Sequence, residues 1–487
     1  MTTDVTSEFL QALTVLHPGM LVLRTDAGEE TLLPFEQDWR KRYRGKALAV
    51  AFPSSTAQVQ SIVSLCSQFD ISIVPQGGNT SLVGGSVPDN SHSQLVLNLT
   101  RMNCIVHVDV DNLSMTVEAG CTLQQVQDAA LDAGLFFPLS LASEGSCTIG
   151  GNLATNAGGT QVLRYGTTRD LCLGLEAVTA DGSVISTLKS LRKDNTGYDI
   201  KNLLIGSEGT LAILTRASLR LYPRPHIQQV ALASCPDLSA ALKLLTHSQS
   251  RLGAELTAFE VIHRDAYQLA QRHMPMQARV AEPLMSEAPG SDAPEWLILV
   301  ETSSLRSAES LQQSMEEVLQ HAMEGGWVRQ AQLSMSHTQY KAMWQLRETI
   351  PMAEKIEGLM VKHDIGIPTS AIPEFVASCR DALQGKFPGC RIVCFGHLGD
   401  GNLHYNVQAP EGILDREFLK CHESDVNRIV YDLVGRYNGT ISAEHGIGQL
   451  KKHELAERSD PTRLRWMRSI KLALDPSRRL NPGRLID

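Results

Sequence analysis

The sequence lacks any run approaching the ~20 uninterrupted apolar residues of a membrane-spanning helix, so no integral membrane segment is expected. Its ten cysteines form no CxxC pair and keep no regular spacing. That argues against a disulfide framework or a Cys-based metal site, and for reduced, buried thiols. There is no basic excess either: 44 Lys and Arg against 53 Asp and Glu give a net charge of −9. Nucleic-acid binding, which shows a basic footprint, gains no support, and an anionic ligand must be met by local positive charge. The start, Met1–Phe9, is acidic and has no basic region ahead of an apolar core, so a cytoplasmic protein is expected. No internal repeat or low-complexity tract is present. What remains is ordinary globular composition, 43% hydrophobic and 20% charged, in 487 residues, enough for two or three domains.

Along the chain, Ser55 and Gln58 match a capping box, and Val59, Ile62, Val63 and Cys66 fall on one helical face. Ile71–Val74 reads as a strand, and Leu95, Leu97 and Leu99 alternate as in a half-buried strand. Thr122 and Gln125 cap a second helix ending near Gly134, and Asp181-Gly182 between Val178 and Val184 signals a tight hairpin. Pro223 and Pro225 mark a plausible domain boundary. Beyond it, helical patterns (Leu238–His247, Ala308–Met323) alternate with apolar runs (Trp296–Val300, Leu359–Ile367), the texture of helices packed on one antiparallel sheet. The Pro-, Ser- and acid-rich stretch Glu282–Pro294 reads as a loop.

Three glycine-rich segments each sit beside an apolar run: Pro75–Gly85 (PQGGNTSLVGG), Ser143–Gly159 (SEGSCTIGGNLATNAGG) and Ile205–Gly209 (IGSEG). Glycine lets backbone N–H groups approach a pyrophosphate closely. None of the three is GxGxxG or GxxxxGK, which disfavours Rossmann and Walker sites. One such segment alone could be a turn that binds nothing; three, spread over more than a hundred residues, suit a long ligand lying across a sheet scaffold.

These segments resemble the FAD-binding segments of the vanillyl-alcohol-oxidase/p-cresol-methylhydroxylase type flavoproteins. Within that group, from about residue 40 to the C-terminus, the chain is similar to the FAD-linked D-2-hydroxyacid dehydrogenases, which include D-lactate dehydrogenases, the glycolate oxidase flavin subunit and D-2-hydroxyglutarate dehydrogenase. The resemblance implies an α+β fold: a two-lobed FAD domain over 40–225 after an N-terminal segment 1–39, a substrate and metal domain with an antiparallel sheet over 226–450, and a C-terminal segment 451–487 returning to the FAD domain. It implies that Pro75, Gln76, Gly77, Gly78, Asn79, Thr80, Ser81 and Leu82 hold the pyrophosphate. Ser146, Thr148, Gly151, Asn152, Ala157 and Gly158 would line the flavin and ribityl chain; Glu208, Gly209 and Ile213 the adenine and ribose side. Asn481 would lie near the flavin, although a capped C-terminal helix with a tail explains that segment equally. The loops contain no His, so the FAD is expected to be non-covalent.

Arg391–Val407 reads as two short strands joined at Gly399-Asp-Gly401, across which His397 and His404, seven positions apart, can face each other. Two neutral imidazoles at that range suit a divalent ion, although histidines in a hairpin are more often surface or core residues, and the spacing is not that of a metalloprotease helix. Ile441–Gly448 (ISAEHGIG) offers Glu444 and His445. Both segments resemble family motifs, which implies His397, His404 and Glu444 as metal ligands, His445 as the catalytic base and Asn406 as a polar substrate contact. Zn²⁺ is the expected ion, with Mn²⁺ or a similar cation the alternative. A bound cation lowers the pKa of a coordinated hydroxyl, a neutral His can then take the proton, and hydride passes from C2 to flavin N5.

Arg347 in Trp344–Pro351 and Lys362 in Met360–Ile365 would each be a solvated surface cation if met alone. By resemblance to the family's Trp-x-x-Arg and Lys-x-Asp segments, both bind substrate carboxylate. Pro351 departs from the hydroxyl side chain that hydroxyglutarate enzymes tend to carry four residues after the Arg. The implied reaction is oxidation of a D-2-hydroxy acid to the 2-oxo acid, D-2-hydroxyglutarate first and D-lactate or glycolate second. An oxidase using O₂, or a flavin subunit of a glycolate-oxidase-like complex, are the rival classes. The implied partners are a small D-2-hydroxy acid and an electron acceptor (electron-transfer flavoprotein, quinone or cytochrome), with a homodimer as the candidate assembly.

Overall fold

The first core grows from a parallel strand–helix–strand unit. Ser55 caps the helix Thr56–Gln68, its hydroxyl accepting from the Gln58 N–H at 3.3 Å. The reciprocal half of the expected capping box is diverted, because the Gln58 side-chain oxygen accepts instead from the Ser54 N–H at 2.7 Å. The Thr122–Gln125 box forms in full and starts the helix Leu123–Asp132. The computed structural model describes residues 3–24, 29–286 and 294–486.

The chain divides into two compact units, one of residues 1–159, 166–224 and 444–487 and the other of 160–165 and 225–443. These boundaries depart from a simple succession of segments. The helix Thr3–Leu16 contributes Phe9 and Leu13 to the core of the first unit, residues 160–165 join the second, and the chain re-enters the first at Glu444.

In the first unit a four-stranded sheet runs Leu21–Arg24, Ala49–Phe52, Gln94–Asn98, Ser72–Gln76, parallel except at its Leu21–Arg24 edge. The expectation that Leu95, Leu97 and Leu99 alternate on a half-buried strand is corrected here: Gln94–Asn98 is buried on both faces. Leu95 and Leu97 pack with Phe9, Val59 and Ile62, while Val96 packs with Val50, Val74 and Leu32. A strand between two parallel neighbours has no solvent face, and each such side chain contributes about 1.5–3 kcal/mol by burial. A second, five-stranded antiparallel sheet follows, ordered Ile105–Asp109, Ser114–Glu118, Ala212–Arg220, Cys172–Thr179, Val184–Ser186. The Asp181-Gly182 hairpin joins its last two strands, with Val178 opposite Val184.

The second unit is built on a seven-stranded, wholly antiparallel sheet, ordered Gln330–Leu333, Ile227–Cys235, Trp296–Ser304, Leu256–His263, Arg391–His397, Asn402–Gln408, Asp364–Gly366. Helices cover both faces. Leu238–Leu252, Ala308–Glu324, Ile372–Lys386 and Asp415–Arg436 bury one; Arg264–His273 and His337–Glu357 bury the other. Two-sided cover explains why Trp296–Ser304 is buried throughout and why its first five residues, Trp296–Val300, read as an unbroken apolar run. Of Glu282–Pro294, expected to be a loop, Glu282–Met285 forms a helical turn, and residues 287–293 lie outside the described residues.

Candidate active site

The glycine-rich segments of the first unit are braced by side chains that turn into the protein. Gln76 is buried; its amide donates to the Phe35 and Ser86 carbonyls (3.0 and 2.8 Å) and accepts from Asn98 at 3.0 Å. Asn79, at φ 52°, donates to the Pro34 and Gln37 carbonyls and accepts from Ser86. Thr80, Ser81 and Leu82 are half-buried, and the Ser81 hydroxyl accepts from the Val83 N–H at 3.4 Å. A Cβ at Gly77 would overlap the Thr148 hydroxyl, and one at Gly78 the Ser146 carbonyl oxygen. Glycine is therefore required for the Pro75–Leu82 loop to lie against Ser146–Thr148. Thr148 caps the helix Ile149–Thr155 through the Gly151 N–H, and the buried Asn152 amide points at the Cys147 sulfur (3.6 Å).

Glu208 is buried at φ 52°, an uncommon conformation for a residue with a side chain. It accepts from the Ile447 and Gly448 N–H groups, each at 2.7 Å. Burial pushes its carboxyl up, against those two N–H groups and the Lys451 charge. Gly209 lies against Pro75. Glu444 accepts from the Gly159 N–H at 2.8 Å, and a Cβ on Gly158 would come within 2.9 Å of the same oxygen. The Ala157 carbonyl is fixed by Thr168. Thus the Glu444–Gly448 segment is laid on the second and third glycine-rich loops, which is why the chain rejoins this unit there. Asn481 donates to the Gly85 carbonyl (3.0 Å) and the Glu208 carbonyl (2.7 Å), and its buried side-chain oxygen has no hydrogen-bond partner among the described residues. Ile213 is buried in the core, so any part it plays at a ligand falls to its backbone. Closely approaching backbone, glycines where a Cβ would intrude and an unsatisfied acceptor at Asn481 are features that fit a dinucleotide.

In the second unit, the hairpin turn after Arg391–His397 closes through the Gly401 N–H on the His397 carbonyl (3.1 Å), with the Asp400 carboxylate accepting from the Asn402 N–H (3.0 Å). His404 stands opposite Phe395, so His397 is its diagonal neighbour on the same sheet face. Their ring centroids are 5.9 Å apart, and a ring nitrogen of each lies within 4.8 Å of the other. Asp364 is the register partner of His404 on the edge strand. Two imidazoles so placed, with carboxylates nearby, are a donor set that fits a zinc-like ion.

Helix His337–Glu357 covers this face. His397 Nδ1 lies 2.5 Å from Glu260, a wholly buried carboxylate whose second oxygen accepts from Arg347 Nε at 2.8 Å. Burial alone would raise the Glu260 carboxyl, but His397 and the Arg347 guanidinium beside it, with the hydrogen bonds they give, hold it low. The Arg347 guanidinium lies 4.7 Å from the Phe395 ring centroid. Lys362 meets Glu354 at 2.5 Å, and Asn406 donates to the other Glu354 oxygen at 2.6 Å while accepting from the His363 N–H. The expected substrate-binding residues Arg347, Lys362 and Asn406 thus come with buried acids attached. One strand over, Glu301 accepts from Thr257, Tyr340 and Trp344. Burial raises its carboxyl, and the three donors pull the other way.

Glu260, Glu301 and Glu354 were missed from sequence. A signal existed: Glu260 interrupts the apolar strand Leu256–His263, and Glu301 directly follows the run Trp296–Val300. A buried acid in such a strand needs a partner. Among the described residues no helix is long and apolar enough to cross a membrane.

Residues 224–485 match the family described as FAD linked oxidases, C-terminal domain, and residues 47–188 match the FAD binding domain family. The chain is 34% identical to a D-2-hydroxyglutarate dehydrogenase of Xanthomonas citri pv. viticola, over 97% of this chain and 96% of that one. It is 36% identical to the mitochondrial D-2-hydroxyglutarate dehydrogenase of Bos taurus, over 99% of this chain and 84% of that one. Among solved structures, alkyldihydroxyacetonephosphate synthase superposes with a TM-score of 0.74 at 17% identity, covering 98% of this chain and 84% of that one. p-Cresol methylhydroxylase gives 0.73 at 16% identity, covering 100% and 98%. At those identities the likeness is one of fold.

Proposed function

The chain belongs to the FAD-linked oxidases and is an FAD-dependent dehydrogenase of a 2-hydroxy acid, and on that premise we propose that it oxidises D-2-hydroxyglutarate to the 2-oxo acid with help from a divalent ion. One observation carries the reading: His397 and His404 share a sheet face with ring nitrogens within 4.8 Å, on the face where Arg347 meets Glu260. When bound, FAD supplies the hydride acceptor at N5. A divalent ion supplies charge that lowers the pKa of a coordinated hydroxyl.

The chain's own residues do the rest. His397, His404 and Glu444 hold the ion, zinc in the first instance and manganese as the alternative. Glu444 is the residue after Ala443, whose N–H reaches the carbonyl of Asp364, the register partner of His404. That continuity supports including Glu444. His445 takes the hydroxyl proton. Arg347 and Lys362 bind the substrate's carboxylates, with Asn406 holding the Glu354 carboxylate against Lys362. The flavin is held without a covalent bond by residues 75–82, the Ser146–Gly158 loop, Glu208–Gly209 and Asn481.

D-lactate or glycolate is the second reading. Pro351, one turn after Arg347 in the helix, offers neither a hydroxyl nor an N–H to a distal carboxylate. A separate electron acceptor and a cytoplasmic location complete the proposal.

An anaerobic screen of D-2-hydroxy acids, following bleaching of the flavin absorbance, tests it. Fast bleaching by D-2-hydroxyglutarate with slow reoxidation in air is expected; preference for D-lactate would favour the second reading. His445→Ala should keep FAD and lose bleaching, and His404→Ala should lose metal and bleaching together. Parent-like reduction rates in both variants would overturn the mechanism.

A further inference from the structure

The least expected group in the second unit is Glu260. It is wholly buried, in the middle of an apolar strand, and its two oxygens are divided between two residues with different expected partners. Oε1 lies 2.5 Å from His397 Nδ1 and Oε2 accepts from Arg347 Nε at 2.8 Å. The strand register explains how one carboxylate reaches both: Glu260 is directly opposite His397 across the sheet, and helix His337–Glu357 lies over the same face.

We propose that Glu260 is a positioning residue that ties the metal-ligand histidine to the substrate-carboxylate arginine. This deepens the proposed function and rests on its assignment of His397 and Arg347. Two consequences follow from the geometry. A carboxylate accepting at Nδ1 keeps the proton there, so the electron pair His397 can offer an ion is on Nε2. The same carboxylate fixes the plane of the guanidinium through Nε, with Phe395 below it, and so sets the direction in which Arg347 presents its terminal N–H groups. Phe395 is the register partner of His404, so the second histidine lies beside the same stack. Disturbing Glu260 therefore disturbs ion binding and substrate-carboxylate binding together. Glu301, on the same sheet face, serves as an internal control. It too is a buried carboxylate under the helix, but its donors are Gln161, Thr257, Tyr340 and Trp344, none of them assigned to ion or substrate.

The test uses the full-length, FAD-loaded protein and Glu260→Gln, which retains the size but has one acceptor oxygen in place of two. Zinc affinity by chelator competition should weaken about 10–100-fold. In the same preparation KM for the hydroxy acid should rise by at least as large a factor as kcat falls, while flavin content stays at the parent value. Glu260→Asp keeps the charge and shortens the reach by one methylene; it supplies the same readouts should the glutamine variant fail to accumulate, with smaller losses expected. Glu301→Gln should leave zinc affinity at the parent value. Parent-like zinc affinity in both Glu260 variants overturns the proposal, as does equal weakening in Glu301→Gln, which would mark a general structural effect. If the parent protein binds no zinc or manganese, it is the underlying metal assignment that falls, and this proposal with it.

Discussion

In the first unit the side chains nearest the glycine-rich loops face inward: Gln76, Asn79 and Asn481 spend their amides on backbone carbonyls. In the second, the two basic side chains expected to meet substrate are already paired, Arg347 with Glu260 and Lys362 with Glu354. The cofactor side thus rests mainly on amide braces and bare backbone, with the Glu208 carboxyl holding the Ile447 and Gly448 N–H groups, and the substrate side on charge pairs. The contrast has a physical logic. A pyrophosphate is satisfied by N–H groups that need close approach, whereas a small carboxylate in a buried site needs a cation whose own burial must be compensated before the ligand arrives.

If that contrast is right, a single methyl group should matter most in the first unit. Gly78→Ala places its Cβ on the Ser146 carbonyl oxygen, whereas at Gly145, in the facing segment, a Cβ meets nothing within 4 Å. Overpacking of this kind costs about 1–3 kcal/mol or more. Gly78→Ala should therefore purify nearly colourless while Gly145→Ala keeps its flavin absorbance; equal flavin content in the two would break the comparison. In the second unit a charge should matter more than a shape. Lys362→Met fills similar space but leaves Glu354 without its cation, at a cost of roughly 1.5–3 kcal/mol. A fall in kcat/KM of about 10–100-fold with unchanged flavin content is expected.

Asn481→Ala removes two hydrogen bonds to the Gly85 and Glu208 carbonyls. At about 1 kcal/mol for each such bond, about 2 kcal/mol together, FAD affinity should drop roughly thirtyfold, measured by flavin fluorescence on dilution. The smallest effect concerns Glu357, in the second unit. Burial pushes its carboxyl up, but hydrogen bonds from His273 and Arg391 and the Arg272 charge prevail and hold it at about 2. Against an unfolded carboxyl near ~4.3, the pairing contributes stability present above that pH and lost as pH falls toward the folded value. Glu357→Gln should lower Tm by a few degrees at neutral pH, roughly the shift produced by 1 kcal/mol. The gap to the parent should close on acidification through that window.

Much of this was legible because local rules were obeyed. The Thr122 cap, the Asp181-Gly182 turn and the hairpin bearing His397 and His404 each depend on a few neighbouring residues. The glycine loops were legible for the same reason. What escaped was long-range. That the strand Gln94–Asn98 is covered on both faces depends on strands and helices far along the chain. Glu260 reaches His397 across 137 positions and Arg347 across 87, so no window of sequence contains the pair that gives it meaning. The inward turn of Gln76 and Asn79 was equally hidden: residue type announces hydrogen bonding but not its direction.

The ties of the C-terminal segment also bear on the order of synthesis. Asn481 bonds back to Ile73, Gly85 and Glu208, and the Lys471 amine donates to the Thr210 carbonyl at 2.7 Å. The Gly85 tie spans 396 positions, which at ~5–20 residues per second separates the two partners by about 20 to 80 s on the ribosome. Late in that interval the nascent first unit has its strands but not its last clamp, and the second unit has been made. On the proposed flavin site, a chain stalled short of residue 471 should therefore leave the ribosome without FAD.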